Sequence, residues 1–336
     1  MQQRKAVIFG WEGLTPANDE LAFFSEHQPW GFIIFARNIE SPEQVRHSIT
    51  LLQEALHDPL LPVLIDQEGG RVARLGPPHW RKPPAAKVFA DLAAKNAETA
   101  AQATFLNARL MAEELRSLGI TVDCAPVADI PVPGSHDIIG DRAYGTEPQQ
   151  VIQLAKATAD GLLEGGVLPI IKHIPGHGRA LVDSHEDLPV VDAKLETLEA
   201  SDFVPFKQLA HLPAAMTAHI RFTALDEKDP VTLSPAGIRY IREQIGFDGL
   251  LMSDDVSMKA LQGEMDELTA KILHAGCDMV LHCNGKMEEM RPIAEVATLL
   301  EGKALERADK ARAAITPVSS FDAAQASETL AELLAA

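Results

Sequence analysis

Cysteine is scarce in this chain, at three residues of 336. So small and odd a number gives no disulfide framework. Cys124 and Cys277 fall in or beside strand-like runs and read as small core residues, and Cys283, near a predicted strand end, reads as equally bland. Long apolar runs are missing as well. None approaches the roughly 20 residues that span a bilayer, and the run after Met-Gln-Gln-Arg-Lys is too short for a signal sequence. A cytoplasmic protein with no membrane partner is the expectation. Basic residues are few, 30 against 48 acidic, for a net charge of -18. Most of that surface would repel a phosphate backbone, which argues against nucleic acid as a partner. No Pro/Gly/Ser-rich linker divides the chain, and the three tryptophans, Trp11, Trp30 and Trp80, are too scattered for a stacking platform. What remains is ordinary soluble composition, 46% hydrophobic and 23% charged. The expectation is one domain over 1–336 with a C-terminal helical tail from about 303, acting as a monomer.

Short strand-like runs recur at Ala6-Phe9, Gly31-Phe35, Val63-Ile65, Ile120-Cys124, Leu168-Ile171, Ala214-Thr217, Leu250-Met252 and Met279-Leu281. Helical patterns lie between them. Start signals stand at Thr15-Pro16, Ser41-Pro42-Glu43-Gln44, Thr146-Glu147-Pro148-Gln149 and Ser234-Pro235. Gly119, Gly165-Gly166 and Gly276 supply stops. Alternating strands and helices mean parallel βα units. Eight of them predict an α/β fold closed as a single (β/α)8 TIM-type barrel. A doubly wound open sheet is the competing architecture.

In such a barrel the strand ends carry the site. Strand one leads to Trp11-Glu12, strand two to Arg37-Asn38, strand three to Asp66-Gln67-Glu68-Gly69-Gly70-Arg71 and strand four to Asp129 and then Arg142. Strand five leads to Lys172-His173, strand six to His219, strand seven to Ser253-Asp254-Asp255 and strand eight to His282 and Asn284. So many converging polar groups suit a small polar ligand, and a sugar better than a flat aromatic. Asp254 directly ends strand seven and is placed to attack an electrophilic carbon, while Asp255 suits a capping or supporting role. Asp183 and His185 lie two apart on the loop after strand five. A histidine held by a carboxylate has its charged form stabilised and one tautomer fixed, which suits an acid/base. Lys172, His173, Asp66, Arg74 and Arg142 offer donors and acceptors for hydroxyls. His177, between two glycines, reads as a residue that shapes the loop. The glycines at 176 and 178 predict a loop that moves.

Lys172-His173-Ile174-Pro175-Gly176-His177-Gly178, Asp183-Ser184-His185, Asp66 to Val72 and Ser253 to Met258 together resemble glycoside hydrolase family 3, most of all its bacterial cytoplasmic β-N-acetylglucosaminidases of peptidoglycan recycling. The resemblance runs from about Val7 to Asn284. It implies Asp254 as nucleophile and His185, paired with Asp183, as acid/base. It further implies Asp66, Arg74, Arg142, Lys172 and His173 as binders of N-acetylglucosamine, no cofactor and no metal. The implied substrate is N-acetylglucosamine linked to 1,6-anhydro-N-acetylmuramic acid, with or without peptide. Ile174 replaces the family's usual Phe, and Gly10-Trp11-Glu12-Gly13 replaces its acidic strand-one end. Competing readings are a phosphorylase using the same site, a metal-dependent barrel hydrolase built on His173, His177, His185 and Asp254, and a non-catalytic sugar-binding protein.

Overall fold

Runs of Val, Ile, Leu and Phe without polar interruption become strands that are buried on both faces, as parallel strands are when helices cover the sheet. In the computed structural model, which describes residues 3–316 and 320–335, these runs form β1 (Lys5–Phe9), β2 (Pro29–Ile34), β3 (Val63–Ile65) and β4 (Val122–Asp123). They continue as β5 (Leu168–Pro169 and Ile171–Ile174, interrupted at Ile170), β6 (Ala214–Thr217), β7 (Leu250–Asp255) and β8 (Met279–His282). The main sheet contains nine hydrogen-bonded segments, two of which are the halves of β5. Its first half pairs with β4 (Val122↔Leu168) and its second with β6 (Ala215↔Ile171). With β1 paired to β8 (Val7↔Val280), the circuit of eight parallel strands closes. The expected TIM-type barrel is therefore the observed one, and the open sheet is not.

Side chains alternate across the strands. Ile8, Ile33, Leu64, Leu168, Met252 and Leu281 fill the barrel interior, and Val7, Phe32, Val63, Ala215, Leu251 and Val280 face the helical layer. Helix Gly302–Ala313 adds Ala308 and Ala311 to the interior set, closing the end where the strands begin. The final helix, Ala323–Ala335, lies on helix Ala97–Leu118 and buries Ala326 and Leu330. Just before it, the Phe321 ring sits 3.8 Å from the Arg109 guanidinium. Among the described residues, no helix is long and apolar enough to cross a membrane.

Local start signals held unevenly. The Ser41 hydroxyl accepts the Gln44 N–H at 3.2 Å and the Ser234 hydroxyl accepts that of Gly237 at 2.9 Å. Gln44 returns its side chain to the Glu40 N–H, so the reciprocal half of the box misses Ser41. The helix assigned to Thr146 is capped at Glu147, because Pro148 takes the first helical position and makes the preceding residue the cap. The helix assigned to Thr15-Pro16 starts only at Asn18, where the Glu20 carboxylate reaches back to the N–H groups of Ala17 and Glu12.

Gly10 follows β1 at the point where the circuit closes. A Cβ there would lie 2.3 Å from the Cys283 carbonyl oxygen. Gly10→Ala is expected to cost about 1–3 kcal/mol through overpacking. Gly76→Ala, with nothing within 4 Å of the added carbon, should stay within about 0.5 kcal/mol. Urea unfolding of the two variants checks this, and equal midpoints would contradict it.

Candidate active site

Where the strands end, their side chains surround a cavity of about 490 Å³. Asp66, Arg74, Arg142, Lys172, His173, His185 and Asp254 all line it. Asp183 is not in the wall but accepts a hydrogen bond from His185 Nδ1 at 2.8 Å. A second cavity, about 630 Å³, lies against Arg4, Trp30, Asp58 and Arg312, where the strands begin. None of the candidate residues reaches it.

One wall is a network of buried charges. The Lys172 ammonium, 3% exposed, lies 2.7 Å from Asp66 and 2.6 Å from Glu68. Arg142 grips both oxygens of Glu68 at 2.8 Å, and Arg74 meets Asp66 at 3.0 Å. Burial alone would raise both carboxyls, but Lys172 and the two arginines hold them below the usual carboxylate range. The same carboxylates keep Lys172 charged despite its burial. Gln67, between the two acids, accepts the N–H groups of Arg74 and Leu75 and so folds Arg74 back over Asp66. Its own N–H rests on Asp123, a buried carboxyl that desolvation pushes well above its ordinary value.

Asp254 is next to last in β7 and shares the cavity. Burial acts to raise its carboxyl, yet the neighbouring His173, the Asp255 N–H and Lys172 together hold it low. It is therefore ionised at neutral pH, as a nucleophile requires. Asp255 does not start a helix. It accepts the N–H groups of Ser257 and Cys283, each at 3.1 Å, and so ties the end of β7 to the end of β8. His219 is neutral because burial pushes its pKa down. Its Nε2–H donates to the Asp255 carbonyl at 3.0 Å, which leaves Nδ1 to accept from the Thr232 hydroxyl at 2.8 Å.

On the β5 loop, the His185 side chain is 63% exposed and Asp183 20%. Burial would raise Asp183, but the backbone and ring N–H groups of His185 hold it low, so this carboxylate is charged and fixes the imidazole. Gly178 on this loop is closely packed. A Cβ there would lie 1.8 Å from the Ile130 carbonyl oxygen.

Two residues of the site were not singled out from the sequence. Glu68 joins Lys172 to Arg142 but appeared only inside a quoted motif. Asp129 appeared only as a strand end, yet it holds His173 Nδ1 at 2.6 Å and the His177 N–H at 2.7 Å. Strand-end position was the signal in both cases. Conversely, Trp11 is fully buried, and neither it nor Glu12 lines the cavity, so strand one contributes no side chain there. His173 and His177, ligands in the metal reading, face Asp129 and Ser184 instead.

An ionised carboxylate and a carboxylate-held histidine share one sugar-sized cavity in a barrel, which defines a hydrolytic barrel enzyme acting on a small polar substrate. The profile of the glycosyl hydrolase family 3 N terminal domain matches residues 5–316. A β-hexosaminidase of Alkalilimnicola ehrlichii is 37% identical over 283 residues, covering 83% of this chain and 80% of the relative. One from Methylococcus capsulatus is 37% identical over 285 residues, covering 82% of each. Neisseria gonorrhoeae NagZ, solved with N-trifluoroacetyl-D-glucosamine, superposes with a TM-score of 0.88 at 29% identity, covering 99% of this chain and 98% of that one. The chain belongs to glycosyl hydrolase family 3 and is a glycoside hydrolase.

The buried histidine gives a pH test. Burial lowers the pKa of His177 to about 4, against about 6.5 in an unfolded chain. Below pH 6.5 the unfolded state takes up a proton that the folded state refuses until about pH 4. Stability from this group is therefore full above about 6.5 and falls as pH drops through that window. His177→Asn should flatten the slope of unfolding free energy between pH 4 and 6.5 by up to about one proton; an unchanged slope would contradict the assignment.

Proposed function

We propose that this glycoside hydrolase is a retaining exo-β-N-acetylglucosaminidase. On this reading it removes the non-reducing terminal N-acetylglucosamine from 1,6-anhydro-muropeptides during cell-wall recycling in the cytoplasm. Residues 1–336 act as one catalytic domain with a helical tail from about 303, as a monomer. The observation that carries the reading is the shared cavity, lined by Asp254, which is held ionised, and by His185, which Asp183 holds from behind. The names and bound sugar of the relatives above support the choice of substrate.

Asp66, Arg74, Arg142, Lys172 and His173 hold the sugar hydroxyls and acetamido group. Asp254 attacks the anomeric carbon while the glycosidic C–O bond breaks through an oxocarbenium-like transition state. His185, as imidazolium, gives its proton to the departing oxygen. The sugar is left as an ester on Asp254. Neutral His185 then takes a proton from water, whose oxygen attacks the anomeric carbon and frees the Asp254 carboxylate. Asp183 stabilises the imidazolium at the start and end of the cycle. An imidazole suits this exchange because its ordinary pKa, about 6.5, lies near neutrality.

A 5-fluoro N-acetylglucosaminyl fluoride should leave a sugar adduct on Asp254, detectable by mass spectrometry of the digested protein. Absence of any adduct in an enzyme that turns over aryl N-acetylglucosaminides would sink the covalent route. Asp254→Asn should lower kcat on the order of 10⁴-fold or more. His185→Ala should cost about 10²- to 10⁴-fold with a sugar leaving group and far less with nitrophenyl. Equal losses on both would argue against His185 as the acid. Running turnover with phosphate present and identifying free sugar or sugar phosphate separates hydrolase from phosphorylase.

A further inference from the structure

We propose that His177 and Ser184 form a latch that positions the Asp183-His185 pair over Asp254, making both of them positioning residues for the acid/base step. The inference rests on the reading of His185 given above.

Between Leu181 and Asp187 the β5 loop is open to solvent, and Ser184 is its one buried residue, 3% exposed. It sits between the two members of the pair. Its hydroxyl lies 3.0 Å from His177 Nε2, and its carbonyl accepts the Ala260 N–H at 3.2 Å. The side chain therefore ties the exposed stretch to the root of its own loop. The backbone ties it to the loop that follows β7, the strand carrying Asp254. These two bonds, rather than packing of the exposed neighbours, set where Asp183 and His185 stand relative to the nucleophile.

The other side of the latch is fixed as firmly. The His177 N–H donates to Asp129, whose second oxygen holds His173 in the cavity wall. The two imidazole rings lie 5.3 Å apart. A chain of contacts thus runs from the sugar-binding histidine through Asp129 and His177 to the acid/base pair. His177 is neutral at working pH, since burial keeps its pKa near about 4. Its Nδ1 is buried without a partner among the described residues. A buried N–H without an acceptor is rarer than an unfilled acceptor. That places the proton on Nε2, donating to the Ser184 hydroxyl. Being neutral, the latch keeps its charge state while His185 exchanges its proton.

The test is a mutant cycle on the full chain. Ser184→Ala should cut kcat/KM about 10- to 100-fold for a disaccharide that departs as a sugar, because a misplaced acid fails where the proton is needed. With 2,4-dinitrophenyl N-acetyl-β-glucosaminide, whose leaving group needs no proton, the loss should stay under about 3-fold. In a His185→Ala background the same substitution should cost less than about 2-fold on the disaccharide, since Ser184 acts through His185. Ser184→Cys, similar in shape but a weaker bonding partner, should fall between and serves if the alanine variant does not fold. Equal losses on the two substrates, no loss on either, or an undiminished loss in the His185→Ala background would each overturn the latch. A wild-type chain that turned over neither substrate would instead overturn the N-acetylglucosaminidase reading itself.

Discussion

The Lys172 ammonium is the charge on which the mouth of this barrel depends. It lies almost wholly buried between Asp66 and Glu68, two carboxylates that would repel each other without it. A buried ion pair resists solvent only when its geometry is good and its remaining bonding positions are filled. Here Arg74 and Arg142 fill them, one on each acid. Asp254 lines the same cavity, and Lys172 is among the groups that keep it ionised. The residues proposed to bind sugar and the proposed nucleophile therefore share one electrostatic arrangement.

The two halves of the proposed chemistry sit on supports of opposite character. Asp254 belongs to a barrel strand, and its neighbour Asp255 stitches that strand's end to the next. His185 is carried by an exposed loop and held by a carboxylate two residues away. A nucleophile must meet one carbon at one angle, which suits a rigid strand. An acid/base must meet a departing oxygen and later an entering water, which suits a group at the open side of the cavity. The fold reconciles the two by burying Ser184 within the exposed stretch.

Much of this was legible in the sequence where the signal was local. Alternating apolar runs and glycine stops follow from backbone periodicity within about twenty residues, and they gave eight strands and their closure. Each stretch quoted for the family resemblance sends residues to one cavity, among them Asp66, Lys172, His173, His185 and Asp254, with Asp183 one bond behind. Where local rules compete, the reading slipped. Pro148 moved a cap from Thr146 to Glu147, and the close packing that requires a glycine at 178 has no local signal.

By itself, then, the sequence determined the order of the elements, the end of the barrel that carries the chemistry and the side chains available there, because each is encoded in short-range periodicity and in position at a strand end. Only the tertiary structure decided which charges meet. Glu68 with Arg142, Asp129 with His173 and Lys172 with both acids are separated by 44 to 106 residues along the chain. Pairing across such separations is set by closure of the barrel, which brings the ends of its strands around one space, and no local pattern of residues carries that geometry.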